Sequence, residues 1–170
     1  MKVMPSIGFI LFISLFFAVG FGILGYAIYT IRASKVAGTW PTTEGKIIRC
    51  EIKESSDSDG TTYETKVEYG YTVAGTNYKG ERIAFGYGGS SGRQAHQETA
   101  DRLIGAKTVV VRYDPADSSR AVLSYGVNRS TLVMLVFGAT WTLFVTGFTA
   151  LWIMMSQSDS GILSTLATTR

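Results

Sequence analysis

The sequence predicts a membrane α + β protein, in which a two-helix transmembrane hairpin flanks a small, mainly antiparallel β domain with one short helix. Three observations support this fold class. Both ends of the 170-residue chain are long apolar runs without charge. The segment between Arg32 and Arg129 holds 14 of the 16 lysines and arginines and 12 of the 13 acidic residues. Within this segment, apolar and polar residues alternate with the period of two that is typical of strands.

The first apolar run predicts a transmembrane helix over residues 3–31. It holds no charged residue, and about 20 apolar residues are enough to span a bilayer as a helix. The alternative is a cleaved signal peptide, for which Lys2 would provide the short basic start. The run is about twice the length of a typical signal-peptide core. It also ends in Arg32 and Lys35 rather than at small residues, so a retained helix is the better interpretation.

The second apolar run predicts a transmembrane helix over residues 130–156, followed by a flexible tail over 157–170. Two segments cannot close a β-barrel, and only helices or closed barrels satisfy every backbone group within lipid. Neither predicted helix carries a Lys, Arg, Asp, Glu or His. Intramembrane charge marks most ion and proton pathways, so the sequence argues against a transporter, a proton relay or an ion channel acting alone.

Small residues recur at every fourth position in both predicted helices, which places them on one helix face. Small side chains let two helix backbones approach closely in lipid, so we expect the helices to pack as an antiparallel hairpin along these faces. One face could instead drive a homodimer, and small residues are also common in such helices without a packing role. The predicted packing residues are Ser14, Ala18 and Gly22 in the first helix and Gly138, Thr142, Thr146 and Ala150 in the second.

The segment 38–124 predicts the β domain. Its clearest alternation runs over residues 63–73, where the odd-numbered residues form the buried face of a strand. Residues 46–54 alternate in part, Asp59-Gly60 between these two strands is a strong hairpin signal, and residues 78–84 return as a third strand of a meander. The expected inner side of the first strand holds Ile48, Cys50 and Ile52.

The rest of the segment predicts one helix and two short strands. A flexible glycine-rich loop over residues 86–92 precedes a helix over 93–104, which Gly105 ends. Strands over 108–113 and 121–123 follow, separated by a turn that begins at Asp114-Pro115. The expected buried positions on the helix are Ala95, Ala100, Leu103 and Ile104.

Three groups of residues in the β domain form a joint pattern. Trp40-Pro41-Thr42 is followed by Gly45 and Ile47, and two alternating stretches cover 67–80 and 109–123. This pattern resembles the bacterial family called domain of unknown function 3592, over about residues 38–124 and including the flanking helices. Lys66 stands where we would expect a proline. The resemblance implies a membrane-tethered small β domain in the bacterial inner membrane with no established activity, and it carries no catalytic residue onto this chain.

Trp40 is expected either to rest at the bilayer surface, which suits its indole ring, or to cap the sheet. Cys50 is the only cysteine, so it excludes an internal disulfide and any multi-cysteine metal site. We expect it to be a small apolar core residue.

No set of residues predicts catalysis, a cofactor or a metal ion, and we predict that the protein is not an enzyme. His96, the only histidine, is expected on the surface of the short helix. The alternative is a hydrolase in which His96 works with Glu98, Asp101 or a serine of the preceding loop, Ser90 or Ser91. The aspartates near the predicted turns lack the closing glutamate of a calcium-binding loop and fit turn chemistry better.

An aromatic cluster lies on or near the central hairpin. Its members are expected in the core or, in the alternative, on a groove that binds a peptide, a partner protein or a glycan. Exposed strand edges can also accept an added strand from a partner. The residues of this possible partner surface are Tyr63, Tyr69, Tyr71, Tyr78 and Tyr87.

The charge distribution predicts which side of the membrane holds the β domain. The basic residues on the domain side are Arg32, Lys35, Lys46, Arg120 and Arg129, whereas Lys2 and Arg170 lie on the other. The positive-inside rule therefore places the domain in the cytoplasm, although the segment 32–129 has 98 residues and exceeds the length of about 60 over which the rule holds best. The single cysteine is compatible with a reducing compartment. The segment 32–129 nets only +2, which argues against nucleic acid as a partner.

These observations together indicate a multi-pass integral membrane protein that contacts the lipid bilayer and acts through protein–protein contacts of its β domain. The expected role is that of an accessory, assembly or immunity-type partner, and the protein bound is another protein or a second copy of the chain. The alternatives are a membrane-anchored ligand-binding module that uses the tyrosine-rich hairpin and a hydrolase that uses His96. No cofactor and no nucleic acid are expected.

Overall fold

The computed structural model describes residues 7–58 and 60–165, with side chains in the last helix described up to Ser156. The elements in chain order are α1 (Ile7–Ala37), β1 (Thr42–Asp57), β2 (Gly60–Val73), β3 (Thr76–Gly80), α2 (Arg93–Ile104), β4 (Val109–Asp114), β5 (Asp117–Val122) and α3 (Arg129–Thr165). The chain divides into two compact units. One contains the described residues up to Tyr26 and those from Met134 onward, and the other is Ala27–Val133.

The predicted fold class is confirmed, because two candidate membrane helices flank a β domain. Ile7–Ala37 and Arg129–Ser156 are long and apolar enough to cross a membrane by length and composition. The first helix continues past residue 31, since Arg32 and Lys35 are good helix formers, and it ends where the Gly38 N–H bonds back to the last turn.

The second helix also exceeds its predicted bounds. It continues to Thr165, through part of the segment for which we expected a flexible tail, because no proline interrupts its backbone hydrogen bonds. Residues 166–170 at the end of that tail, residues 3–6 of the first predicted helix, and Asp59 of the predicted hairpin turn lie outside the described residues.

Within the helix unit, α1 and α3 meet at a close contact around Gly20. A Cβ atom at Gly20 would lie 2.6 Å from Thr142 Oγ1 and 3.0 Å from Trp141 Cδ1. The Trp141 indole N–H donates a 3.0 Å hydrogen bond to the Phe16 carbonyl. That carbonyl lies one turn before Gly20, so the missing side chain leaves it accessible from the neighbouring helix.

The predicted packing faces are only partly those that meet. Gly138 is buried, and a Cβ atom there would lie 3.1 Å from Ile23 and Leu24 side-chain atoms. Thr142 faces Gly20. The other predicted residues, Ser14, Ala18, Gly22, Thr146 and Ala150, are exposed. A four-residue spacing places residues on one helix face, but it does not determine which face packs against the other helix. Here the close approach of Gly20 to Trp141 and Thr142 determines the packing face.

The sheet has five antiparallel strands in the order β3-β2-β1-β4-β5. Strand β2 lies near its centre, and the face predicted for residues 63–73 is the one that turns toward the core. Strand β3 ends at Gly80, before the predicted end at residue 84, and β5 begins at Asp117, earlier than predicted. The buried core residues on and around the sheet are Val67, Tyr69, Tyr71, Ile83, Val111 and Ala121.

A β-bulge in β1 corrects the predicted inner side of that strand. Ile47 opposes Tyr69 and Arg49 opposes Glu68, so Ile48 is an extra residue without a directly opposed partner. Its side chain is 54% exposed. The inner side therefore passes from Ile47 to Cys50, because an extra residue reverses the alternation of faces.

The hairpin of β1 and β2 extends beyond the rest of the sheet. Strand β1 pairs with β2 along almost its whole length but with β4 only over Thr42–Gly45, and β2 pairs with β3 only from Tyr69 onward. A Cβ atom at Gly45 would lie 2.6 Å from Val111 Cγ2, so the three strands meet tightly there. We call residues 46–56 and 60–68 the ribbon; α2 packs against both of its strands.

A second buried cluster lies where the sheet meets the end of α1 in the same unit. It contains Ala37, Trp40, Phe85 and Val122. Trp40 packs edge-on against Phe85, with ring centroids 5.9 Å apart, and it is buried. Of the two roles expected for Trp40, the structure shows the cap of the sheet.

Candidate functional site

His96 lies in the first turn of α2 and is buried rather than exposed on the surface. Its exposed fraction is 4%, so the predicted surface position is wrong. The face of α2 that carries His96 and Ala100 packs toward the sheet, whereas Ala95 and Ile104, two of the predicted buried residues, are exposed. The positions of the apolar residues in α2 therefore did not identify which face of this polar helix is buried.

Both ring nitrogens of His96 have hydroxyl partners from the glycine-rich loop. The Tyr87 hydroxyl is 2.8 Å from Nδ1, and Ser90 Oγ is 2.9 Å from Nε2. The His96 backbone carbonyl accepts a hydrogen bond from Thr65 Oγ1 of β2 at 2.9 Å. Ser90 and Tyr63 also exchange two backbone hydrogen bonds. The loop is thereby fastened to α2 and to β2.

The electrostatic setting keeps the imidazole neutral. Burial lowers the pKa of His96, and the Glu64 carboxylate opposes this effect only in part. A neutral imidazole can accept a proton on one nitrogen while the other nitrogen donates to a hydroxyl. A serine nucleophile is activated when its hydroxyl is hydrogen-bonded to a histidine that a third group orients. Here the third group is Tyr87, not the expected Glu98 or Asp101.

The two acidic residues near His96 in sequence have other partners. Glu98 accepts a hydrogen bond from Gln94, and Asp101 accepts one from Gln97, both along the exposed side of α2. Residues four apart on a helix share a face, so these carboxylates are turned toward their own helix neighbours. Sequence reasoning missed Tyr87 as the partner of His96, and no local spacing signals a contact between a loop and a helix.

The five tyrosines of the possible partner surface divide between core and surface. Tyr69 and Tyr71 are buried, and their hydroxyls donate to the carbonyls of Arg82 at 3.0 Å and Ser118 at 2.6 Å. Burial raises the pKa of both phenols. Both residues lie on the inner face of β2. They are therefore core residues and are unavailable to a partner.

The other three tyrosines are half-buried and have separate neighbours. Tyr78 stacks on Tyr71 with centroids 5.7 Å apart, and Tyr87 lies edge-on to the His96 ring at 5.6 Å. The Arg93 guanidinium lies 5.5 Å from the centre of the Tyr63 ring. Their ring surfaces are already used in packing, which weakens the expectation of a tyrosine-lined binding groove.

The ribbon presents a strand edge and a mixed set of charges. In the described part of the chain, residues 46–56 of β1 have no backbone pairing on the side away from β2. Within residues 46–56, the exposed charged residues are Lys46, Arg49, Glu51, Lys53 and Glu54. Arg49 and Glu51 form a 2.8 Å ion pair along the strand. Sequence reasoning predicted the hairpin but not the unequal strand lengths, 16 residues in β1 against 6 in β4.

Cys50 and the aspartates of the turn between β4 and β5 have ordinary structural surroundings. Among the described residues, no group of three or more His, Cys, Asp or Glu side chains could hold an ion. Asp114 and Asp117 accept hydrogen bonds from residues two positions ahead, as turn residues do. Burial and the neighbouring Glu51 raise the pKa of Cys50, so this half-buried side chain is a neutral thiol.

One comparison with known proteins gives a match. A family model described as Domain of unknown function (DUF3592) matches residues 43–128, which include the sheet, the loop that contacts His96, and α2. No curated protein and no solved structure matches the chain.

Proposed function

The chain belongs to the DUF3592 family, and because that description assigns no activity, we propose from its own residues that it is a membrane protein whose β domain binds another protein chain. The single observation that carries this proposal is the unpaired edge of β1 in the ribbon. We further propose that the domain is not an enzyme. Its role is that of an accessory, assembly or immunity-type partner.

An exposed strand edge is a template for an added strand. Its N–H and C=O groups can continue the ladder into a partner chain, as in β-strand addition. Many proteins keep edge strands short or cover them. Strand β1 instead continues well past the end of β4, and the pairing that would cover residues 46–56 is absent from the described part of the chain.

Charges along the ribbon supply the specificity that a backbone ladder lacks. Arg49, Glu51 and Lys53 alternate in sign on the exposed side of β1. Opposite charges placed directly across a strand pair stabilise it, and like charges destabilise it. A partner strand must therefore match this charge order.

The low burial of the apolar helices supports insertion in a membrane. Only 11% of the most apolar window of Ile7–Ala37 is buried, and only 17% of that of Arg129–Ser156. Contiguous apolar surface of this size is unusual on soluble proteins. In a bilayer, the same surface contacts lipid chains and is shielded from water. We assign the protein to the bacterial inner membrane, with the β domain on the cytoplasmic side because Arg32, Lys35 and Arg129 adjoin the spans.

Photo-crosslinking in cells tests the proposed binding. Lys53 on the ribbon is replaced by the photo-reactive amino acid p-benzoylphenylalanine, with Glu98 on the exposed side of α2 replaced in a matched control. We expect crosslinked products at position 53 and none at position 98. Irradiated cells that give no product from position 53 or from Arg49, tested in the same way, would contradict the proposal.

One observation favours a second candidate, a serine hydrolase built on Ser90, His96 and Tyr87. Ser90 is exposed, and its hydroxyl is 2.9 Å from His96 Nε2. In such an enzyme, Ser90 Oγ would bond to an ester carbonyl carbon while its proton passes to Nε2 and then to the leaving alcohol. Water would afterwards hydrolyse the acyl-serine.

Fluorophosphonate labelling separates the two candidates. These probes form a covalent bond with an activated serine and ignore ordinary serines. A protein that only binds a partner remains unlabelled, which is the result that we expect. Labelling that persists in Ser91→Ala and disappears in Ser90→Ala would replace the binding proposal with the hydrolase.

A further inference from the structure

We propose that the chain paired with the ribbon is a second copy of this protein, joined through antiparallel pairing of residues 49–55 of β1 with the same residues of the second copy. This inference rests on the proposed function, since it names the partner of the same strand edge. The observations that carry it are the position of the β-bulge and the order of charges along β1.

The β-bulge sets where a regular added strand begins. Pairing with β4 occupies β1 only up to Gly45, and the extra residue Ile48 interrupts the ladder. From Arg49 to Ser55, β1 keeps an unbroken register with β2. This stretch is therefore straight enough to accept another strand on its outer edge, and both ends of it lie clear of β4.

Symmetry restricts the possible registers. In a pair of identical antiparallel strands related by a twofold axis normal to the sheet, residues that oppose each other come from the same face of each copy. The axis must therefore pass midway between a residue of β1 and the same residue of the second copy. If this axis lies midway between the two Ile52 residues, Ile52 opposes Ile52 of the second copy, Glu51 opposes Lys53 of the second copy, and Arg49 opposes Ser55 of the second copy.

The charges select this register over its neighbours. With the axis at Ile52, symmetry gives two Glu51–Lys53 pairs and no directly opposed like charges. An axis at Glu51 would oppose two Glu51 residues, and an axis at Lys53 would oppose two Lys53 residues. An axis at Cys50 leaves a regular ladder of only residues 49–51 before the bulge interrupts it. Direct like-charge pairs destabilise a strand pair, so the axis at Ile52 is the favoured one.

Cysteine crosslinking tests the register. Ile52→Cys is made in the full-length chain on a Cys50→Ser background and oxidised in native membranes. Opposed residues of an antiparallel pair have Cα atoms about 4.5–5.5 Å apart, which is within the range of a disulfide. We expect a disulfide-linked dimer. Thr62→Cys on the exposed side of β2 is the matched control and should remain monomeric, and equal dimer yields from both variants would overturn the inference.

A charge exchange tests the pairing itself. Lys53→Glu places two glutamates opposite each other and should lower the yield of the Ile52→Cys dimer about tenfold, because both symmetric pairs become repulsive. The combined Glu51→Lys and Lys53→Glu variant restores opposite charges and should recover the dimer. Glu98→Lys on α2 is the control and should leave the yield unchanged. An unchanged yield in Lys53→Glu would contradict the proposed register.

Failure of this inference can be distinguished from failure of the proposed function. The product of photo-crosslinking from position 53 is identified by its mass and by co-expression of two differently tagged copies. A product that contains both tags supports self-pairing. A product with a different protein overturns self-pairing but retains the proposed binding through the ribbon, and the absence of any product overturns both.

Discussion

The Ser34 side chain and the Gly126 backbone exchange two hydrogen bonds. Ser34 Oγ accepts the Gly126 N–H at 2.8 Å and donates to the Gly126 carbonyl at 2.9 Å. Ser34 is in the last turns of α1, and Gly126, with φ of +106°, lies in the segment that leads into α3. One serine therefore satisfies both backbone polar groups of Gly126, a residue between the sheet and the second apolar helix.

The first prediction concerns this pair. Ser34→Ala removes the partner of both Gly126 groups, and Ser34 itself is 1% exposed. We expect a loss of about 1 kcal/mol in the free energy of unfolding, because the partly buried N–H and C=O of Gly126 lose their hydrogen-bond partner. Thermal unfolding of the full chain in detergent measures it. Ser91→Ala, at an exposed position, should leave the midpoint unchanged, and equal midpoints for both variants would show that the pair does not stabilise the fold.

The second prediction concerns the contact of α1 with α3. Gly20→Ala should destabilise the helix pair by about 1–3 kcal/mol, because the new methyl group would overlap Thr142 Oγ1 in a packed contact. Gly22→Ala is the control, since a Cβ atom there meets nothing within 4 Å. Thermal unfolding in lipid nanodiscs compares the two variants. A larger loss in Gly22→Ala than in Gly20→Ala would contradict the observed packing face.

The third prediction concerns pH. Burial lowers the pKa of His96 below its ordinary value of 6.5, so the unfolded chain binds a proton at a higher pH than the folded chain does. Stability is therefore fully present above pH 6.5 and falls as the pH drops from there toward the lowered pKa of the folded state. Chemical unfolding of the full chain in detergent between pH 8 and pH 5 measures this slope.

A variant that cannot titrate serves as the control for that experiment. His96→Gln should be less stable at pH 8, because it cannot reproduce both hydroxyl contacts, and should lose less stability between pH 6.5 and pH 5. If the two proteins show the same dependence on pH over this interval, His96 is not the group responsible.

The fourth prediction concerns the orientation proposed for the β domain. Ser58→Cys, at the exposed end of the β1–β2 hairpin, is made on a Cys50→Ser background. A membrane-impermeant maleimide should label it only after the cells are permeabilised, because the domain is proposed to be cytoplasmic. Lys79→Cys on the same background should behave identically. Labelling of Ser58→Cys in intact cells would reverse the orientation.

Much of the secondary structure follows from local patterns in the sequence. The two apolar runs predict both long helices, since length and hydropathy alone determine whether a helix can span a bilayer. Alternation over residues 63–73 identifies the inner face of β2, and the helix predicted over residues 93–104 has the observed bounds. These features depend on residues that are close together in the sequence, so a single sequence is enough to predict them.

The candidate site was less accessible to sequence reasoning. The sequence suggests Ser90 as a possible partner of His96, but it predicts neither the Tyr87 contact nor the burial of the ring. Both depend on how the glycine-rich loop folds back over α2 and β2, and the backbone freedom of glycine leaves that path open. The unpaired edge of β1 likewise depends on where β4 ends beside it, which is a long-range relationship.

The sequence by itself determined which segments are apolar enough for lipid, which residues of β2 face inward, and where α2 begins and ends. Only the tertiary structure decided that Gly20 rather than Gly22 meets α3, that Ile48 is the extra residue of a bulge, and that His96 is buried between two hydroxyls. Periodicity defines the faces of an element. Which face turns inward is decided by close contacts between distant parts of the chain, where the fit of one side chain against another outweighs local preference.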